Sequence, residues 1–589
     1  DSGREGELIF RFVYEQANCK KPFSRLWISS MEESAIREGF SNLKDGRSYD
    51  NLYQSALCRA KADWLVGINA TRLFSILYHK TLNVGRVQTP TLTMLVNRDY
   101  AISSFKKEKY HVVRLDAGGV SALSERLNDE AAAQQMKTAC EKSQAVCTSL
   151  KKEKKTVAPP KLFDLTALQR EANRLYGFTA KQTLDYAQAL YEKRLLTYPR
   201  TDSKYITSDM QDSTKELITG LCSLLPFMRD VKLQADLTRV CDNSKVTDHH
   251  AILPTAEFLK TGFSSLTDSE TKLMTLVCAK LLCAAAAPYE YEAVTAVISC
   301  GGYTFTAKGK TTLCEGWREI EKLSRAASEE QDEDAEPETV LPPLAEGQTF
   351  DNPAAEISER YTQPPKAFTE DTLLSAMESA GKEDTPEDAE RKGLGTTATR
   401  AGIIEKLISA GFAERKGKKL IPTKDGYNLV AILPDSLTSP QLTAEWETRL
   451  TGIAKGSDSP ADFMRGIEEM TAGLVKTYSA ISEDKAKLFT PQREAIGTCP
   501  RCGAAVYEGK KNFYCSDRAC SFVMWKNDRF FEQRKKAFTK AIAAALLKDG
   551  KVKIKGMYST KTGKTFDGVV LLADTGGKYV NFRVEQNRK

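Results

Sequence analysis

The chain has 589 residues, which at roughly 100–200 residues per domain means several domains. It is 41% hydrophobic with a net charge of +7, and no apolar run approaches the ~20 residues of a membrane-spanning helix. From position 481 onward there are 23 Lys and Arg against 11 Asp and Glu, a local +12, so the rest of the chain carries −5. Aromatic residues are interleaved with these basic ones: Tyr507, Phe513, Tyr514, Phe522, Trp525, Phe530, Phe531, Tyr558, Tyr579 and Phe582. Charges suit phosphates and rings suit bases, so the tail is expected to bind nucleic acid. The alternative is a basic surface over ordinary core aromatics. Ten of the 14 cysteines are scattered without disulfide spacing, which points to a reducing, cytoplasmic setting. The chain opens on Asp in mid-motif and is read as a piece of a longer protein, so the lack of a targeting segment decides little.

Asp1-Ser2-Gly3-Arg4-Glu5-Gly6-Glu7 leads into the apolar LIFRFVYEQ, followed by an expected strand at Arg25–Ser29. Three carboxylates, Asp1, Glu5 and Glu7, suit oxygen ligation of Mg²⁺; equally, they suit the positive end of a helix dipole. Residues 33–98 are mostly helical in pattern. HVVRL and AVCTSL read as strands around a helix at Asp129–Lys142, and Pro159-Pro160 marks a boundary. Leu165–Tyr191 reads as two helices separated by Gly177, the second capped by Thr179. Asp268–Ala286 is another helix, and Ala293–Cys300 and Tyr303–Ala307 are strands. The acidic run within Ala326–Pro343 is expected to be a surface loop. Thr369–Tyr478 fits a helical domain with a winged-helix-like unit: helix Arg400–Ala410, basic turn Arg415–Lys419, then LIPT. An amphipathic helix (Phe538, Ile542, Leu546, stopped at Gly550) and a hairpin turning at Asp574–Gly577 close the chain.

Leu195–Ser203, LLTYPRTDS, places a tyrosine between a short apolar run and a segment that cannot continue as regular structure. Tyr198 is a candidate nucleophile and Arg200 a candidate phosphate clamp. The competing reading is a packing or rim tyrosine. Cys499-x2-Cys502-x12-Cys515-x4-Cys520 has the spacing of a structural Zn²⁺ site, with no open position for catalysis. Thr247-Asp248-His249-His250 holds half of the four histidines; neighbouring imidazoles make poor joint ligands, but one could donate to a phosphate. The loops Gly85–Pro90 and Gly393–Arg400 enter helices with small and hydroxyl residues, which suits phosphate binding or simple capping. No P-loop is present: Thr304 and Tyr558 stand where Gly309-Lys310-Thr311 and Gly563-Lys564-Thr565 would need glycine. Chemistry driven by ATP is therefore disfavoured.

In this order, DSGREGELIF, NVGRVQTPTL, LLTYPRTDS, TDHHAILPT and GLGTTATRAGIIEKL resemble the type IA DNA topoisomerases, nearest the bacterial topoisomerase III branch. The resemblance implies a multidomain α/β and α+β toroid with a C-terminal zinc ribbon and small α+β repeat. The implied segments are 1–35, the end of a Toprim domain; 36–105 and 369–480, two parts of a helical domain, the second winged-helix-like; and 106–158 and 293–368, two parts of a β-rich arch. Residues 159–292 would carry the cleavage tyrosine, 481–530 the zinc ribbon and 531–589 a basic repeat. It implies attack by Tyr198 on one DNA strand to give a 5′-phosphotyrosine, strand passage, and religation without ATP, relaxing or decatenating DNA. Arg200 and His249 would contact the scissile phosphate and Glu5 would serve catalysis and metal. Arg59, Arg86, Gln88, Thr399 and Arg400 would contact DNA. Asp1, Glu5 and Glu7 would hold Mg²⁺, although Gly3 stands where the family often has a second Asp. Single-stranded DNA, a helicase partner and a monomeric state are expected. The first Toprim strand would precede Asp1, so this stretch alone is not expected to complete a cleavage–religation cycle. The alternatives are a non-catalytic single-strand-binding protein on the same scaffold, and a Toprim primase or nuclease, which leaves LLTYPRTDS unexplained.

Overall fold

A computed structural model describes residues 3–28, 32–246, 248–327, 339–381, 393–478, 494–577 and 579–585, together with positions 383, 480, 485, 488 and 489. Asp1 and the acidic run at 328–338 expected as a loop lie outside the described residues. The chain forms two compact units, Asp1–Lys485 and Ala486–Lys589.

The larger unit contains a seven-stranded antiparallel sheet with the strands in the order Thr349–Phe350, Ala145–Val157, Tyr289–Cys300, Tyr303–Cys314, Val120–Leu123, Lys109–Ala117 and Ala354–Tyr361. Its longest ladder pairs Ala145 with Cys300 and runs to Val157 opposite Tyr289. The chain therefore leaves the sheet at Val157 and rejoins it at Tyr289, next to its point of departure. Everything between is an insertion hung from one end of this strand pair. The strand begins at Tyr289 rather than Ala293 because the Tyr289 ring is buried and stacks on Tyr291.

The insertion has its own core, including Leu165, Leu168, Leu190, Ile206, Leu221, Phe258, Met274 and Leu281. Helix Leu165–Tyr176 is capped by Asp164, which accepts from the Ala167 N–H, and ends at Gly177 in the left-handed region (φ 68°). Helix Ala180–Glu192 starts on a reciprocal Thr179–Gln182 capping box. Within the stretch expected to be β-rich, Trp317–Ala327 is instead a helix. It packs on Asp268–Ala284, contributes Ile320 to the insertion's core, and is tied to the strand end by Trp317 Nε1 donating to the Val157 carbonyl (3.2 Å).

The helix Asp50–Leu77 is flanked by Gln441–Lys455 and Pro460–Thr477, distant in sequence. Its buried stripe (Ala56, Ala62, Val66, Ala70, Phe74) is rich in small residues, which lets the helices approach closely. Helix Thr397–Ser409 is followed by the hairpin Ala413–Lys416 and Lys419–Pro422, the expected helix–turn–strand unit. Of the described part of the strand expected at 25–29, Arg25 pairs, with Lys44, beside Ser24 with Asp45.

The smaller unit has a four-stranded meander (Ala495–Thr498, Ala505–Glu508, Asn512–Cys515, Val523–Trp525), helix Lys540–Asp549, and a three-stranded sheet (Lys551–Tyr558, Thr565–Ala573, Asn581–Glu585). One hydrophobic cluster serves both sheets. Phe531 and Phe538 stack at 4.2 Å, and Arg501 grips Asp574 with two hydrogen bonds of 2.7 Å. The boundary expected at 530/531 therefore runs through a shared core. Five of the ten interleaved rings, Phe513, Phe522, Phe530, Phe531 and Phe582, belong to this cluster or pack on it. Phe513, Phe522 and Phe531 are buried, whereas Trp525 and Tyr579 are exposed.

Candidate active site

The first turn of helix Gly3–Gln16 gathers contacts from distant parts of the chain. A side-chain Cβ at Gly3 would lie 2.0 Å from Asp248 Oδ2. Arg4, buried, donates to Glu447 (3.0 Å). Glu5, more than half exposed, accepts from Arg59 (3.2 Å). Glu7, fully buried, accepts from Arg11 and Arg25, both at 2.7 Å. Arg4 and Glu5 thus face different partners, because a helical turn points successive side chains about 100° apart.

This corrects two expectations. Both Glu7 oxygens are held by arginines within the N-terminal segment, so Glu7 locks that segment together and is not presented to an ion. Arg86 is buried, pairs with Asp63 (2.8 Å) and Glu447 (3.5 Å), and lies over the Trp446 ring at 4.9 Å. Burial pulls its guanidinium down, and Asp63 and Glu447 more than offset that. It is part of the scaffold, not a surface for DNA. Arg59 bridges the two sets, 3.2 Å from Glu5 and 3.6 Å from Glu447. Glu447, at the centre of three arginines, was not legible in TAEWETRL.

Tyr198 sits in an irregular stretch stitched to the histidine segment. Thr197 N–H donates to the Leu253 carbonyl (2.9 Å), Leu253 N–H donates to Thr197 Oγ1 (2.8 Å), and Thr201 Oγ1 donates to the His249 carbonyl (3.0 Å). LLTYPRTDS and TDHHAILPT are thus two sides of one structure. The half-buried Tyr198 ring lies 4.4 Å from that of His249 and meets Tyr191 edge-on at 5.5 Å. Burial pushes the His249 imidazole below its ordinary value, and Asp202 opposes this only in part. His250 is also pushed down by burial, and its Nδ1–H donates to the Ala251 carbonyl (2.8 Å). Of the two, His249 faces the tyrosine. Arg200 is exposed.

The remaining candidates divide. Gln88, half-buried at the start of helix Gln88–Ser103, donates to the Asn83 carbonyl (3.2 Å). Thr399 is exposed in the first turn of helix Thr397–Ser409, where its hydroxyl accepts from Thr396 N–H (2.8 Å). Arg400 is buried and donates to Thr166 Oγ1 (2.9 Å) and the Leu394 carbonyl (3.2 Å), with burial pulling its guanidinium down. It ties this helix to Leu165–Tyr176 and is not offered to DNA.

In the smaller unit the Sγ atoms of Cys499, Cys502, Cys515 and Cys520 lie within 4.8 Å of one another. Cys499–Cys520 are 3.7 Å apart and Cys502–Cys515 3.4 Å, close to the edge of about 3.8 Å for a tetrahedron with Zn–S near 2.3 Å. Gly503, at φ 77°, makes the knuckle, donating its N–H to the Cys499 carbonyl (2.9 Å). This is the one cluster of metal-ligating residues found among the described residues.

Residues 47–465 match the DNA topoisomerase family. DNA topoisomerase 3 of Bacillus licheniformis is 39% identical over 546 residues, covering 88% of this chain and 73% of that protein. DNA topoisomerase 3 of Bacillus subtilis is 39% identical over 546 residues, covering 88% and 74%. The full-length topoisomerase I structure from Thermotoga maritima matches with a TM-score of 0.65 at 23% identity, covering 89% of this chain and 84% of that one, a likeness of fold. The chain belongs to the type IA DNA topoisomerases, in the topoisomerase III branch. It is thus an isomerase acting on DNA, and no described helix is long and apolar enough to cross a membrane.

Proposed function

We propose that Tyr198 is the nucleophile of strand cleavage. Its Oη bonds to the scissile phosphorus, the bond from phosphorus to the 3′ oxygen breaks, and the 5′ end stays on the protein. The phenol proton departs and the 3′ oxygen gains one. Religation reverses both transfers, so the phosphodiester energy is conserved and ATP is not required. A phenol ionises near about 10, so the step needs proton acceptance and charge stabilisation on the phosphate. His249, held neutral by burial, offers an N–H donor and a lone pair beside the ring. Arg200 is placed two residues on to meet phosphate charge, and Arg59, Gln88 and Thr399 are the remaining candidates for the DNA backbone.

Glu5, with Asp1, would hold Mg²⁺; its exposed carboxylate is the hard oxygen donor such an ion prefers. Bound there, the ion would neutralise phosphate charge. The four thiolates would hold Zn²⁺ as a structural ion. Single-stranded DNA is the proposed substrate form, with Trp525 and Tyr579 as stacking surfaces, and the protein is proposed to act as a cytoplasmic monomer, with a helicase as possible partner.

The observation that carries this reading is the Tyr198–His249 pair standing on the domain whose Asp248 meets the acidic first turn. The test is to mix the protein, expressed from its complete reading frame, with end-labelled single-stranded oligonucleotide and Mg²⁺, then denature in detergent. A shifted adduct is expected, absent in Tyr198→Phe. An adduct surviving that substitution would reject the nucleophile, and no adduct from the wild type would favour a non-catalytic binding protein.

A further inference from the structure

The insertion carrying Tyr198 meets the N-terminal segment through side chains that include Ser213 and Asp248. Ser213 Oγ donates to Glu32 (2.8 Å), and the Asp248 carboxylate lies against Gly3. The second contact is far more exacting. Gly3 has φ 84°, and a Cβ there would lie 2.0, 2.5 and 2.7 Å from Asp248 Oδ2, Cγ and Oδ1, all closer than real side chains approach. Because Cγ itself is inside the limit, turning the carboxylate about its own bond relieves nothing. The side chain must swing away or the two elements must part. The carboxylate lies against the first residue of helix Gly3–Gln16, the end whose dipole favours negative charge.

We propose that Asp248 is a positioning residue: it seats the tyrosine-bearing insertion on the first turn of helix Gly3–Gln16, and Gly3 is the socket it requires. Seating brings His249, one residue on, and Tyr198, its ring neighbour, to the turn that carries Glu5. Passing a strand through the break requires these elements to separate and then return to the same register. A single side chain in a close-fitting socket does this without unfolding either element, and in this chain a Cβ at position 3 would fill the socket from the other side. The inference rests on the reading of Tyr198 above.

The test is a double-mutant cycle with Gly3→Ala and Asp248→Ala in the full-length protein, reading single-turnover adduct formation at saturating oligonucleotide, together with DNA affinity and melting temperature. Each single substitution is expected to slow adduct formation roughly ten- to a hundredfold, as a small misplacement of reacting groups does. DNA affinity should hold, and Gly3→Ala should add nothing once Asp248 is alanine. Multiplying losses would overturn the proposal, because strain at a positive φ acts in either background while the socket acts only with Asp248 present. Should Gly3→Ala not fold, Asp248→Glu decides: one methylene too long for the socket, it should slow the step as much as Asp248→Ala, and wild-type rates from it would overturn the proposal. A wild type that forms no adduct would instead reject Tyr198 as nucleophile.

Discussion

The cysteine cluster and the tyrosine site are assembled in opposite ways. All four thiols come from 22 consecutive residues, Cys499 to Cys520, on neighbouring strands and turns of one meander. The proposed tyrosine site draws Gly3 and Glu5, Arg59, Tyr198 and His249 from separate stretches, which are held through Glu447 and through backbone bonds between two loops. A site closed within one short segment depends on its ligands and little else. A site drawn from the whole unit depends on residues that never touch the substrate.

The contrast can be broken at either end. Removing metal from the cysteine site, by chelation or Cys515→Ser, should have the largest effect, since structural Zn²⁺ contributes apparent free energies of about 10–16 kcal/mol in finger peptides at neutral pH. Loss of Trp525 fluorescence structure and of amide protection across 495–585 is expected, with the transition of the larger unit unmoved; protection that persists without metal would make the shared aromatic core sufficient by itself. Next, Glu447→Ala leaves Arg4, Arg59 and Arg86 around a lost counter-charge and should cost about 3–5 kcal/mol in urea unfolding. A loss below about 1 kcal/mol would mean the cluster is not what holds the turn in place.

Arg200→Gln is the complementary case: adduct formation should fall about 10²–10³-fold, as for loss of one charge-stabilising donor, with the melting temperature unchanged. Arg86→Gln should do the reverse, lowering stability before it touches DNA affinity. The smallest effect is on pH dependence. Burial holds His249 and His250 below their unfolded value of about 6.5, so below that pH the unfolded chain binds more protons. Stability should be full above it and decline as pH falls through it. Urea midpoints at pH 7.5 and 5.5 measure the slope, and His249→Gln with His250→Gln should flatten it; an unchanged slope would assign it to other groups.

Local chemistry was legible where one segment contains its own explanation. Thr179 as a helix cap, Gly177, the four cysteines and the pairing of Thr565–Ala573 with Asn581–Glu585 follow from neighbouring residues. Arg86 and Arg400 were misjudged for one reason: an arginine in a glycine- and hydroxyl-rich loop looks the same whether it awaits a phosphate or is buried against Asp63 or Thr166. Glu7 was misjudged likewise, its arginines being four and eighteen residues away. The aromatic tail left a stacking surface and ordinary core aromatics both open; Phe513, Phe522 and Phe531 form the core a small unit needs, and only part of the ring set faces outward.

The sequence by itself determined the family, the nucleophile candidate and the cysteine cluster with metal-ligand spacing, because these rest on residue types at short, specific spacings. Only the tertiary structure decided that Tyr198 stands over His249, that Glu447 gathers three arginines, and that Asp248 occupies the space a side chain at Gly3 would need. The last of these depends on the insertion between Val157 and Tyr289 lying against the first helix. Distances between residues hundreds apart are set by packing of whole elements, and no local spacing records them.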